Sequence, residues 1–548
     1  IDISYRLFDA IISTVIVLAE KEQNKALRDS NEVLLVRIPP IDSNLSDKEV
    51  EKKLDEILTD IENAISHNSS NYEFDKSELE RCSKLHGIWY SFVKQSELPR
   101  NRKWISLFFQ GVEDIVNILE LHPAMIKIGE WFKPSRGNSI WSIWALDNGR
   151  RPDLGAKDFF YFNKNKVREW DRKVEKFATA IKPYLVPGIT ASRYVKTFTF
   201  TTSDWEQLKD EGRDAFILVL HKEKDRLSQQ LNTYVRWGET ECKTKIRGTR
   251  GGGVVCSEAE ACRAREEARK RAVEEGREPL FYGWYDLGGY IPTPIMAIRQ
   301  ARYHPQFFLA TKNVVTYDAI ITFIPRVRLR LGEQIFDPIR YNETFDNIID
   351  EVKVNVELDE AEVKAILAYL NSTFNWLWLE QNARYIAKGP LGLEVSTVEG
   401  MPCLDVKRID RAHVEKLAEL FDKLESEARQ LISNYSISPR DQETEKEESG
   451  KKFEMFRRLR PVFKEIDVKI AEILGIAIDP DTLWSYAWEM MARRVKGARR
   501  KVKPGTEVEI DVGAGSVKKR KKKRTSSQDT TVPLTRWLEG YQDAEDKQ

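Results

Sequence analysis

The sequence predicts an α+β chain of several domains. Three observations carry that prediction: 548 residues exceed what a single hydrophobic core organises, both flanks show apolar spacing near 3.6, and the middle consists of short β-branched and aromatic runs cut by Gly, Pro and Asn. Hydrophobic residues make up 41% and aromatic residues 10%, an ordinary globular composition that excludes a wholly disordered chain. No apolar run approaches the ~18 residues of a bilayer span. The nearest, 10–19, is interrupted by Ser13 and Thr14, so no membrane partner is expected.

Residues 1–40 read as a terminal β-hairpin: apolar runs 5–19 and 32–38 flank a charged turn, and Pro39 and Pro40 end the second run. The chain opens on Ile1 with no Met or leader ahead of it, so further sequence is expected upstream. Residues 41–128 read as a helical insert. Ser46 and Glu49 have capping-box spacing, and Val50, Leu54, Ile57, Leu58, Ile61 and Ile65 fall on one helical face.

Residues 129–405 read as a mixed, largely antiparallel β domain with strands near 194–200, 215–220, 313–317 and 319–324 and two embedded helices. One further segment, 258–275, rich in Ala, Arg and Glu, predicts an exposed helix carrying i to i+4 ion pairs. Residues 406–503 read as a helical bundle, begun by Val414, Leu417, Phe421, Leu424, Ala428 and Leu431 at helical spacing and continued by helices near 453–474, broken at Pro461, and 481–495. Residues 504–548 hold too little apolar content to offset ordering entropy and read as a disordered basic tail.

The charge is unevenly placed. Lys+Arg 88 against Asp+Glu 87 leaves +1 overall, yet 493–524 contains fourteen basic residues and three acidic ones. Such a stretch suits a polyanion without specifying which. Five cysteines form no C-x-x-C pair and are read as reduced, buried apolar residues in a cytoplasmic protein; six scattered histidines lack zinc-ligand spacing, so no metal is expected.

Arg326, Arg328 and Arg330 alternate, so in one strand their guanidinium groups project from one face about 6.8 Å apart. Two readings stay open: forks matching phosphate oxygens and guanine edges, or a solvated face paired with acids. Arg299, Arg302, Tyr303 and Lys312 add basic and aromatic groups upstream. The stretch 508–515 imitates a cofactor-binding glycine loop, but a basic run rather than a helix follows it. Asp153, Asp171 and Lys173 imitate a metal nuclease, yet Val167, Trp170, Val174, Phe177 and Ile181 are spaced for a helix, which turns Asp171 and Lys173 around its axis.

The stretch 366–374, followed by 376–385, 388–395 and 398–404 with Met401-Pro402-Cys403-Leu404, resembles the target-recognition region of amino-type, N6-adenine DNA methyltransferases of type I and type IIG restriction-modification and related phage-defence systems. Residues 181–185, Arg193-Tyr194, 282–285, 299–325, 457–475 and 484–494 resemble the same group in the same order, and 8–18 with 33–38 resemble the last hairpin of its catalytic sheet. The resemblance implies that 129–405 is a target-recognition domain that binds double-stranded DNA. The family's Asn-Pro-Pro-aromatic tetrapeptide, which holds the flipped adenine, occurs nowhere in this sequence. The catalytic half, with its S-adenosylmethionine, is therefore expected upstream or on a partner subunit, and no cofactor is expected on this chain alone.

For the DNA-facing surface the expected residues are Arg299, Arg302, Lys312, Asn313, Arg326, Arg328, Arg330 and Lys388. Asn371 and Ser372 are expected to cap helix ends. The alternatives are a non-catalytic DNA-binding specificity or scaffold subunit and a nuclease built on Asp153, Asp171 and Lys173.

Overall fold

The computed structural model describes residues 2–3, 14–15, 23–38, 47–68, 71–98, 104–109, 111–140, 156–244, 253–345, 348–386, 389–433 and 452–497. The expected tail at 504–548, the glycine stretch at 508–515, Asp153 and Lys388 lie outside these residues.

A four-stranded sheet near the N-terminus runs in the order Thr14–Val15, Asp2–Ile3, Glu32–Ile38, Trp89–Lys94. The strand Glu32–Ile38 is not one arm of a simple hairpin. It pairs in parallel with Asp2–Ile3 and antiparallel with Trp89–Lys94, with Val33 opposite Val93 and Val36 opposite Tyr90. The polar connection before it contains a short helix, Lys25–Ser30, whose first turn is capped by Asn24 Oδ1 accepting from the Ala26 amide at 3.0 Å.

The segment expected to be a helical insert is mixed. Helices Asp47–Asn63 and Lys76–His86 flank a hairpin, Ile65–Asn68 with Asn71–Phe74, and Trp89–Lys94 then completes the sheet. The periodic face behaves as its spacing predicts: Val50, Leu54, Ile57 and Ile61 are buried against Val36, Ile38, Cys82 and Ile88.

The centre is a five-stranded sheet in the order Thr199–Phe200, Phe307–Ala310, Ile295–Ile298, Ile320–Pro325, Phe132–Arg136. Its three inner strands are apolar almost without alternation because both faces are covered. Ile295, Ala297, Phe307, Leu309, Ile321 and Phe323 enter the large core shared with the C-terminal helices. Met296, Ile298, Phe308, Ala310 and Ile320 point the other way, into a smaller core with Tyr194, Trp205 and Leu208. Of the strand expected at 194–200 only Thr199–Phe200 forms, and a 3₁₀ turn, Ser192–Tyr194, precedes it.

A second sheet, Val315–Thr316, Leu185–Ile189, Phe216–Leu218, Tyr161–Phe162, belongs to a lobe with an aromatic core of Phe159, Trp170, Phe177, Tyr234 and Trp284. Its helices are more numerous than expected and include Lys164–Lys173, Gln229–Thr240 and Glu260–Glu274. The last was expected to be solvated. Most of it is exposed or half-buried, but Ala261, Cys262, Arg265 and Ala272 form a buried face, and Arg265 Nε donates to the Trp284 carbonyl at 2.9 Å. Cys242 and Cys256, Cα atoms 5.3 Å apart, form a disulfide that the spacing rule did not reveal; Cys82, Cys262 and Cys403 are free and buried. Asn138 joins the two sheets, donating to the carbonyls of Ile291 (3.1 Å) and Val314 (2.8 Å) and accepting from the Thr316 amide at 2.8 Å.

In the C-terminal region the helix Arg411–Ile432 buries Val414, Leu417, Phe421, Leu424 and Ala428. It packs on Glu360–Leu370, a helix the sequence reading had assigned to the β domain, and on Arg460–Leu474. The expected interruption near Pro461 falls at Leu459, between helical residues 452–458 and Arg460–Leu474, and the closing helix is Pro480–Gly497. Glu425 ties this bundle to the sheet edge, accepting from the Thr197 hydroxyl at 3.0 Å and the Phe198 amide at 2.8 Å. No described helix is long and apolar enough to cross a membrane.

Candidate nucleic-acid interface

A small three-stranded sheet carries basic residues on and beside its strands. Leu391–Gly392 lies between Gln300–Ala301 and Arg384–Tyr385, so that Gln300 and Arg384, both exposed, flank Gly392. Arg299 precedes the first strand, and its carbonyl accepts from the Leu393 amide at 2.8 Å. Arg136, at the end of its strand, forms an ion pair with Glu394. Arg299 reaches the same carboxylate at 3.5 Å and Asp318 at 3.8 Å.

Two guanidinium groups therefore share Glu394 with only 15% and 14% of their side chains exposed. Burial first, and the neighbouring Arg299 charge second, hold the Arg136 pKa below the usual arginine value. The contacts continue along the turn at Asp318. Tyr317 accepts a hydrogen bond from the Ser192 amide at 3.0 Å, Lys157 Nζ sits 5.3 Å over the Tyr317 ring, and the Arg193 charge lies close enough to lower the Tyr317 pKa against the larger effect of burial. The Nε–H groups of Arg136, Arg193, Arg299 and Arg302 are enclosed without hydrogen-bond partners among the described residues. Arg136 and Arg299 thus meet at Glu394, with Asp318 beside Arg299, Lys157 and Arg193 lie at Tyr317, and Arg302 and Arg384 belong to the small sheet and its flank; these six cations are called the rim below.

Of the eight residues expected at a DNA surface, the described contacts place Arg299 and Arg302 on this rim. Lys388 lies outside the described residues. Lys312 sits 4.4 Å over the Trp205 ring, apart from the rim contacts, and the neighbouring Asn313 is exposed.

The alternating arginines divide. Arg328 and Arg330 project from the strand Arg328–Leu331, 43% and 53% exposed, but each is paired, with Asp337 at 2.9 Å and Glu357 at 2.8 Å. Arg326 leaves that face because the strand Ile320–Pro325 ends just before it. Its side chain is 6% exposed, donates to the Gly129 carbonyl and to Asp350 at 3.1 Å, and lies 3.5 Å from Glu399. Arg326→Ala should therefore lower stability by about 1–3 kcal/mol, the cost of orphaning a buried carbonyl and nearby acids. Denaturant titration checks this: an unchanged midpoint would remove Arg326 from the core.

The rim residues not expected at a DNA surface from the sequence are Arg136, Lys157, Arg193 and Arg384. Arg136, Arg193 and Arg384 sit beside Gly, Ser or an aromatic residue and Lys157 between Ala156 and Asp158, patterns too common to select them. Asn371 and Ser372 sit at helix ends as expected, and Asn371 also pairs with both backbone groups of Phe307, at 3.0 and 2.9 Å.

Asp171 and Lys173 lie on the helix Lys164–Lys173, with Asp171 accepting from the Ala178 amide at 2.8 Å and Lys173 paired with Glu169 at 2.7 Å. Among the described residues no three His, Cys, Asp or Glu side chains gather as a metal site. The described open groove at Val468, Ala471, Glu472, Ile476 and Ile478 does not suit S-adenosylmethionine: its lining is apolar, and Glu472, its one carboxylate, is paired with Lys469 at 3.0 Å.

No family model matches this chain. A stretch of 141 residues is 25% identical to the type II methyltransferase M.AccI of Acinetobacter calcoaceticus, covering 26% of this chain and 19% of that protein. The match thus spans about a fifth of its relative. The crystal structure of the type IIG restriction endonuclease BpuSI superposes with a TM-score of 0.37 at 12% identity, over 86% of this chain and 41% of that one. The chain is thus distantly similar to a protein of DNA modification.

Proposed function

We propose that this chain is the DNA-recognition portion of an S-adenosylmethionine-dependent, adenine-specific DNA methyltransferase of a restriction-modification or phage-defence system. The basic rim carries the reading. Guanidinium groups that share a single carboxylate suit phosphate oxygens, which position a duplex, while Arg302 and the exposed Arg384 would read base edges, with Lys388. Arg328, Arg330, Lys312 and Asn313 would make outlying contacts. The similarity to a type II methyltransferase supports this choice among DNA-binding functions.

Methyl transfer and its cofactor would belong to an upstream catalytic domain or a partner subunit, and the protein would work in the cytoplasm, beside the DNA. The chain's part is to grip double-stranded DNA and present an extruded adenine. A second reading, a non-catalytic specificity subunit, is favoured by the absence of Asn-Pro-Pro-aromatic from the sequence. Both readings require duplex binding.

The test is a titration of the 548-residue chain with duplex DNA at increasing salt. Four phosphate contacts from the rim, by Arg136, Lys157, Arg193 and Arg299, give a log–log slope of about −4 before any contribution of the tail. Truncation at 504 should make the slope shallower while leaving the preferred sequence in place. Failure to bind any duplex at low salt would overturn the proposal.

A further inference from the structure

A fully buried ion pair connects the rim to the closing helix. Arg494, on Pro480–Gly497, is 1% exposed, and Glu380, on Thr373–Asn382, is 0% exposed. The contact is a fork: Arg494 Nη2 meets Glu380 Oε1 at 2.7 Å and Nε meets Oε2 at 3.0 Å, which fixes the guanidinium plane. Glu380 is itself held by the Trp376 indole, donating at 3.0 Å.

The remaining Arg494 donors are spent on backbone. They reach the carbonyls of Arg302 at 3.0 Å and Tyr303 at 3.3 Å, and the carbonyl of Gly389. These carbonyls belong to the segment of Arg302 and to the hairpin of Arg384, the two described base-reading candidates. Gly389 adopts φ +93°, a conformation glycine accepts and other residues rarely do, and its turn is closed by the Ile386 amide donating to the Pro390 carbonyl at 2.9 Å. One guanidinium therefore ties the Arg302 backbone to that of Gly389. Packing alone does not demand this, since a buried ion pair carries a desolvation cost that an apolar pair of similar volume avoids.

We propose that Arg494, oriented by Glu380, is a positioning residue for base discrimination, acting through the Arg302 and Gly389 carbonyls without touching DNA. The inference rests on the reading that the rim binds DNA. The helix is also seated by contacts outside this pair, Tyr486 against Phe109 (5.9 Å) and Glu489 beside Arg37 (3.6 Å).

The experiment uses the 548-residue chain. Duplexes selected from a randomised pool define the preferred sequence, and affinities for that duplex and a scrambled one give a discrimination ratio. Arg494→Lys keeps a charge for Glu380 but cannot span both segments. It should lower the ratio at least tenfold while leaving the scrambled-duplex affinity and its salt slope as in the wild type. Glu380→Gln, which loosens the fork and preserves its shape, should act in the same direction. An unchanged ratio in either folded variant overturns the proposal. So does an equal loss on both duplexes, which would assign Arg494 to the fold alone. Wild-type chain that binds no duplex, or binds all alike, would instead remove the recognition reading and this inference with it.

Discussion

Replacing Arg136 and Arg299 together by glutamine is expected to weaken binding of duplex DNA roughly 30- to 1,000-fold, equally for preferred and scrambled sequences. The size follows from two charge-assisted hydrogen bonds to phosphate, together about 2–4 kcal/mol. These arginines are candidates for the largest share because they are already largely desolvated and lie near each other, so each holds its charge against the other's repulsion. An incoming phosphate relieves that repulsion, as a contact between exposed, solvated lysines would not. Glutamine keeps a donor for Glu394, so thermal stability should stay near that of the wild type. Losing two cations should also make the log–log salt slope shallower by about 2. Affinity within threefold of the wild type, in a folded double variant, would move the interface elsewhere.

Asp467→Asn is expected to stabilise the protein, with a gain that grows with pH. Asp467 lies wholly inside the C-terminal bundle, where burial pushes its carboxyl up to about 7 although Oδ1 accepts from the Thr373 amide at 2.9 Å. Below about pH 4 the group is protonated in both the folded and unfolded chain, and the substitution is nearly neutral. Between about 4 and 7 the unfolded chain releases this proton while the folded chain retains it, so wild-type stability falls as pH rises. Above 7 the folded protein carries the full penalty of a buried charge, up to about 4 kcal/mol. Asparagine does not ionise and can keep an oxygen for Thr373. Denaturant unfolding at pH 5 and pH 8 measures the difference. A variant no more stable at pH 8 than at pH 5, relative to wild type, would refute the buried-carboxyl account.

Local chemistry made much of the secondary structure legible. The helical face Val414, Leu417, Phe421, Leu424 and Ala428 is buried as its spacing predicts, and the apolar run at 319–324 is a strand. Less could be read where partners are remote. Trp89–Lys94 lies beyond two helices and a hairpin from the strand it pairs with, so the stretch containing it was read as part of a helical insert. Cys242 and Cys256 approach because Gln229–Thr240 and the turn at Cys256–Glu258 share the lobe's core, a proximity no spacing rule encodes.

The candidate interface divides along the same line. By itself the sequence determined where cations are dense, which helices are amphipathic, and that the Asn-Pro-Pro-aromatic tetrapeptide is missing, because composition and periodicity are properties of neighbouring residues. Only the tertiary structure decided which arginines are available. Arg326 and Arg328 are alike in pattern, yet one is enclosed beside Gly129 and Asp350 and the other stands outside, while Arg136 and Arg299 meet at Glu394 across more than 150 residues. Desolvation depends on what folds over a side chain, and that is settled by sheet closure and helix packing between distant segments.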